Sequence, residues 1–179
     1  CIAGSRLLVQ DSIYEKFVEK LVKVASEAKI GDPMSLDTHV GPVTTKPQFE
    51  KIMSYIDIAK SEGAKCLLGG KAYSGSDVKG NRFVEPTIFT DVNNDMRIAQ
   101  EEVFGPILPI LSYESLDDIN KILCELKNPL AFYVFSQTQL VNINDDIDVK
   151  NVYLVDNMSS TYYEGIKNNS HDDRFRFRT

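Results

Sequence analysis

The chain has 179 residues, 42% hydrophobic and 26% charged, a composition that excludes a disordered tail and fits one ordinary domain or part of a larger one. Twenty Lys and Arg against 26 Asp and Glu leave a net charge of −6, which argues against a general nucleic-acid binder, because that class needs clustered positive charge to displace counterions. No apolar run approaches the roughly 20 residues that span a bilayer, so no membrane partner is expected.

Three cysteines, Cys1, Cys66 and Cys124, are an odd count at wide spacings. They build neither a disulfide framework nor a paired-cysteine zinc site, so no metal is expected and a reducing, cytoplasmic compartment is. A start on Cys1 rather than Met is expected of a trimmed or processed piece.

Residues 6–10 read as a short, mostly buried strand. A helix over 12–29 comes next, with Tyr14, Phe17, Val18, Leu21, Val22, Ala25 and Ala28 on one stripe. Ser12 with Glu15 suggests a capping box, and Gly31-Asp-Pro33 ends the helix. Residues 33–46 read as loop. A second amphipathic helix spans 47–62, with Pro47 in its first turn and Gly63 at its end. Lys65-Cys-Leu-Leu68 is a short strand, and the glycine- and serine-rich stretch 70–82 a surface loop.

Phe83-Val-Glu-Pro-Thr-Ile-Phe89 reads as extended, with Pro86 confining it to an edge or irregular position. Ile107 to Leu111 is another apolar run. Ser115-Leu-Asp-Asp118 caps a helix over 115–126, and 130–135 and 151–155 are apolar strands. Helices alternating with short apolar strands predict an α/β fold, a mostly parallel sheet with flanking helices. Residues 156–179 differ in having few aliphatics. They read as a divergent C-terminal tail after a main domain of residues 1–155. In Arg174-Phe-Arg-Phe-Arg178, charge and aromatic alternate at period two, so a strand there puts Phe175 and Phe177 on one face, able to pair with a neighbour's sheet edge; the plainer reading is a disordered tail.

Two segments carry candidate chemistry. Cys1, flanked by small residues just before a strand, can present a thiol to a cleft, or be an inert small hydrophobe. In Gln100-Glu-Glu-Val-Phe-Gly-Pro106, adjacent carboxylates on an extended segment leave on different sides. One can meet solvent or a basic partner while the other accepts hydrogen bonds from two vicinal sugar hydroxyls, with Phe104 as an aromatic wall. The plainer alternative is a charged helix end followed by a turn.

Cys1-Ile-Ala-Gly-Ser-Arg6 resembles the active-site segment of the aldehyde dehydrogenase superfamily from its catalytic cysteine onward. The resemblance continues in order through Asp11 to Lys20, Gly31-Asp-Pro33 with Gly41-Pro42, Glu62-Gly-Ala-Lys65, Gly69-Gly70 and Phe83-Val-Glu-Pro-Thr87. Its most specific motif is Ile98-Ala-Gln-Glu-Glu-Val-Phe-Gly-Pro106, and Leu130-Ala-Phe-Tyr-Val-Phe135 is similar to a later family strand. It covers about residues 1–155. Tyr162 to Ser170 looks like a decayed form of the family's next stretch, with Glu164 in place of a glycine.

The resemblance implies a catalytic-domain-like fold and oxidation of a small-molecule aldehyde to a carboxylic acid with NAD or NADP. Cys1 would be the nucleophile that forms a thiohemiacetal and then a thioester. Glu102 would bind the nicotinamide ribose hydroxyls and Phe104 border the nicotinamide; Glu101 receives no role. The family's general base, its oxyanion-hole asparagine and its dinucleotide-binding domain lie upstream of the cysteine, outside these residues, so the segment alone is expected to be inactive. A homo-oligomer, or association with that cofactor domain across an uncovered apolar sheet face, is expected too. The competing readings are an inactive dehydrogenase-like remnant serving as a binding or structural domain, and an amidohydrolase using the α-amine of Cys1 as base. His39 and His171 are expected to be catalytically idle.

Overall fold

The computed structural model describes residues 4–75, 78, 80 and 82–126, and beyond them the backbone strands at 131–135, 151–155 and 175–177. Ser5–Glu114 form one compact unit, and the elements from Ser115 onward belong to a second.

In the first unit, strands β1 (Leu7–Gln10), β6 (Ile107–Tyr113), β5 (Thr87–Thr90) and β2 (Lys65–Leu68) lie side by side in that order. β1 and β5 both run parallel to β6, and β2 closes the β5 edge antiparallel. A two-stranded ribbon of β3 (Ala72–Tyr73) and β4 (Phe83–Val84) stands apart from this sheet.

Alternation along the strands divides the core into two layers. Ile88 and Ile110 turn to the side that holds Val9 and helix α1 (Tyr14–Ser26) with its buried Val18. Their neighbours Phe89 and Leu111 turn to the other side, where helix α2 (Lys46–Ser61) presents Ile52, Tyr55, Ile56 and Ala59, joined by Ile98 and Ala99 of the short helix α3 (Arg97–Gln100). Among the described residues, both faces of this sheet therefore carry packed helices, α1 on one and α2 with α3 on the other. β2 manages the same division with an irregularity: its register with β5 shifts between Cys66 and Leu68, and these residues, two apart, join opposite layers.

Two prolines show how local geometry was accommodated. Of the edge or irregular position expected for Pro86, the structure shows the irregular one: it lies between two strands and splits the segment. β4 ends at Val84, and β5, buried at every residue, is an inner strand. Pro109 lies within β6 where pairing passes from one neighbour to the other: residues 107–109 face β5 and 110–113 face β1. Its missing N–H therefore falls at the end of a ladder rather than inside one.

α1 begins later than predicted. Asp11–Ile13 form a 3-10 turn, and no side chain caps either element, so the Ser12–Glu15 box does not form. Phe17 stays 38% exposed on the outer side of α1. α2 is capped by Thr45, whose hydroxyl accepts from the Gln48 N–H, with Pro47 in the first turn and Gly63 at φ 99° just beyond the end. The loop between these helices is tied by His39, whose Nδ1 accepts from the Lys29 N–H at 3.1 Å, a structural duty. His171 lies outside the described residues.

In the second unit, helix α4 (Leu116–Cys124) has the cap expected of its sequence, and the cap is a reciprocal box. The Ser115 hydroxyl accepts from the Asp118 N–H, and the Asp118 carboxylate accepts from the Ser115 N–H at 2.8 Å. Strands β7 (Ala131–Phe135), β8 (Asn151–Val155) and β9 (Phe175–Phe177) run parallel in that order. The terminal Phe-Arg-Phe is thus a strand, paired on one side with this chain's own β8.

The two serines make a direct comparison. Ser115→Ala should lower stability by about 1 kcal/mol by loss of the cap. Ser12→Ala should stay within about 0.5 kcal/mol, as at an ordinary surface position. Urea denaturation of the protein at its full native length measures both.

Candidate functional site

The segment 101–106 leads from α3 into β6. α3 is seated by Glu62, whose carboxylate accepts the Arg97 N–H at 2.9 Å. The chain then extends, with Glu101 at φ −119° and ψ 143°, and turns at Phe104, whose φ of 57° is in the left-handed region. Such a conformation costs a bulky residue on the order of 1–3 kcal/mol.

Two features hold the turn. The Gln48 side-chain amide donates to the carbonyls of Val103 and Phe104 at 2.8 and 2.9 Å, each bond contributing about 1 kcal/mol. Gly105 packs directly on the fully buried Ile52: a β-carbon there would lie 2.6 Å from Ile52 Cδ1 and Cγ1.

The adjacent acids have different surroundings. Glu101 is held by Arg97, whose Nε and Nη2 donate to its two oxygens at 2.9 and 3.0 Å, and by the Tyr55 hydroxyl, which donates to Oε2. The Arg97 guanidinium also lies over the Tyr55 ring, 5.1 Å from its centroid. The hydrogen bond to Glu101, then burial, raises the Tyr55 hydroxyl above its ordinary pKa of 10.0, and the same carboxylate makes Arg97 still harder to deprotonate. Both partners of this ion pair are almost half exposed, so solvent screens it and it adds little to stability.

Glu102 is exposed, and among the described residues no side chain hydrogen-bonds its carboxylate. Its electrostatic counterpart is Arg6: burial lowers the Arg6 pKa and the Glu102 charge opposes that shift. Arg6 Nε is buried with no hydrogen-bond partner among the described residues. Phe104 is 66% exposed, an unusual surface position for a large aromatic in so constrained a turn. The Lys51 ammonium lies between, donating to the Glu102 carbonyl at 3.3 Å and standing 5.7 Å from the Phe104 ring centroid and 5.6 Å from that of Tyr55.

Two of the three residues singled out from sequence, Glu102 and Phe104, therefore stand on one short, rigidly held turn. Cys1 lies outside the described residues. Gln48, Lys51, Tyr55 and Arg97 were not anticipated. Arg97 was readable as an i, i+4 partner of Glu101; the α2 residues, about fifty positions away, gave no local signal. Among the described residues there is no group of three or more His, Cys, Asp or Glu that could hold a metal, and no helix long and apolar enough to cross a membrane.

Residues 1–175 match the sequence model of the aldehyde dehydrogenase family, and the chain belongs to that family. It is 44% identical over 137 residues to aldehyde dehydrogenase family 2 member C4 of Arabidopsis thaliana, covering 76% of this chain and 26% of that protein. It is 35% identical over 150 residues to alpha-ketoglutaric semialdehyde dehydrogenase of Bacillus subtilis, covering 83% and 31% respectively. The crystal structure of betaine aldehyde dehydrogenase from Staphylococcus aureus in complex with NAD+ matches with a TM-score of 0.79 at 35% identity, over 88% of this chain and 32% of that one. The chain thus spans about a quarter to a third of the length of these proteins.

The geometry makes two outcomes measurable. Gly105→Ala forces its β-carbon into Ile52 and should cost about 1–3 kcal/mol, read from denaturant midpoints. Tyr55 ionises later folded than unfolded, so its linked stability is full below pH 10 and is lost as pH rises through its raised folded pKa. Glu101→Gln should shift one tyrosine's ultraviolet titration to lower pH, and adding Tyr55→Phe should abolish that change.

Proposed function

We propose that this chain is the thiol-bearing catalytic segment of an enzyme that oxidises an aldehyde to a carboxylic acid with NAD+ or NADP+. The observation that carries the reading is the turn at 102–105, which offers an exposed carboxylate without a side-chain hydrogen-bond partner among the described residues beside an exposed aromatic ring on a firmly held backbone. A carboxylate can accept from both hydroxyls of a ribose diol, and an aromatic wall can border a flat ring, so these groups suit a nicotinamide nucleoside.

In this reading Glu102 binds the ribose hydroxyls and Phe104 borders the nicotinamide. Cys1, as thiolate, adds to the aldehyde carbonyl and forms a thiohemiacetal. The bound cofactor supplies the acceptor for the hydride that this carbon then loses. The carbonyl re-forms as a thioester on Cys1; water attacks it, the acid leaves, and the Cys1 thiolate returns with one proton released. The base that takes this proton, and donors for the oxyanion, come from elsewhere in the family's fold. The same reading makes the working protein a homo-oligomer in which this segment meets a cofactor-binding domain.

The test uses the protein at its full native length. It should reduce NAD+ or NADP+ with short or medium aldehydes; Cys1→Ala should abolish turnover while leaving cofactor binding intact. Glu102→Gln should weaken the cofactor about tenfold, the value of one or two hydrogen bonds to a charged acceptor. Absence of turnover by a protein with an intact, alkylatable Cys1 would replace this reading with a binding or structural one. Amide hydrolysis without cofactor would favour the amidohydrolase.

A further inference from the structure

The acid that received no role, Glu101, is the better held of the two. Its carboxylate takes donors from three atoms, Arg97 Nε, Arg97 Nη2 and the Tyr55 hydroxyl. An exposed ion pair of this kind adds little to the stability of the fold, so its three-fold engagement needs another account.

The next residues along the chain supply one. Glu101 is anchored through its side chain, Glu102 through its carbonyl on Lys51, and Val103 and Phe104 through their carbonyls on Gln48. Four consecutive residues are tied to α2 or α3. The groups left projecting are the Glu102 carboxylate and the Phe104 ring, both exposed. In an extended segment neighbouring side chains leave on opposite sides, so a Glu101 carboxylate fixed against Tyr55 sets the direction of the next one. The first anchor is also the one with a rigid planar fork: Arg97 grips both carboxylate oxygens and stacks on the buried Tyr55.

We infer that Arg97 and Tyr55, acting through Glu101, are positioning residues that orient the Glu102 carboxylate and the Phe104 ring for the cofactor. The inference rests on the proposed assignment of Glu102 and Phe104 to the cofactor, and it adds the device that aims them. Glu101, Arg97 and Tyr55 themselves touch no substrate.

The experiment measures NAD+ and NADP+ dissociation constants by equilibrium fluorescence for the full-length protein and its Glu101→Gln, Arg97→Met, Arg97→Lys, Tyr55→Phe and Glu102→Gln variants. Melting temperature and aldehyde KM are recorded for each. Glu101→Gln and Arg97→Met should raise the cofactor dissociation constant about five- to tenfold, as loss of a charge-assisted hydrogen-bond pair predicts. Melting temperature should fall by no more than about 3 °C, as for an exposed pair. Aldehyde KM at saturating cofactor should not change. Arg97→Lys should recover part of the loss, because it keeps the charge without the fork, and Tyr55→Phe should show the smallest effect.

Parental cofactor affinity in Glu101→Gln and Arg97→Met, with Glu102→Gln weakened, overturns the positioning role and leaves the cofactor assignment standing. Parental affinity in Glu102→Gln overturns the assignment itself. Weaker cofactor binding that accompanies a large fall in melting temperature in both Glu101→Gln and Arg97→Met, with no recovery in Arg97→Lys, marks an ordinary structural contact and also overturns the inference.

Discussion

Ile52 occupies the space that a β-carbon at position 105 would need, and much of the molecule is arranged around that contact. The side chain is fully buried between α2 and the sheet, so it has no room to retreat. Glycine at 105 lets the turn settle onto the helix. Once it has settled, residues one and two turns along α2 lie against the same segment: Gln48 is four positions before Ile52, Lys51 one before, Tyr55 three after. A helix of 3.6 residues per turn places such positions along a single flank. One flank of α2 therefore builds the core with Ile52, Ile56 and Ala59, and the adjoining one holds the backbone of 101–104. Packing and site geometry are consequences of the same helix rotation.

The sheet gives that helix a firm base. Because β5 and β6 are covered on both sides, each contributes alternate residues to two cores, and α2 cannot rotate without disturbing Phe89 and Leu111 beneath it. Thr87 adds a polar tie where the strand begins, its hydroxyl accepting from the Gly70 N–H at 2.9 Å and donating to the Glu85 carbonyl at 2.8 Å. The buried hydroxyl is thereby satisfied in both senses, as a buried polar group must be to avoid its desolvation cost. Gly70 cannot carry a side chain in this arrangement; its φ is 77°, and a β-carbon would meet Cys66 Sγ at 2.6 Å.

Elements whose signals are local were legible from the residues. The stripe of α2, the apolar run of β6 and the Ser115–Asp118 box all depend on spacings of one to four positions, and all formed. Signals that depend on a distant partner misled or were silent. Pro86 marks an edge or an irregular position, and the sequence alone does not choose; the chain breaks there, and the inner strand starts after it. One local signal failed as well: Ser12 and Glu15 have the spacing of a cap, but a 3-10 turn uses that position instead. β3 hides in a polar loop because two residues, paired across a ribbon, leave no periodicity to read. At the site, the motif 98–106 was recognisable as a whole by its resemblance, and Glu102 and Phe104 with it; the grip of Gln48 and Lys51 was not, because nothing near residues 48–51 announces a partner at 102–104.

Glu101 and Glu102 show why residue type alone could not divide the roles. The two acids are identical in chemistry and adjacent in sequence, and alternation sends them to different sides. On one side stand an arginine and a tyrosine from two helices, and a carboxylate there has its acceptor capacity taken up by protein donors. On the other side the carboxylate is exposed, with a desolvated arginine cation near enough to feel its charge. A free carboxylate keeps its lone pairs available to a ligand's hydroxyls. The pair thus separates into a fixed acid and an available one, and the fixed acid can give the available one a direction because a single planar peptide unit joins them.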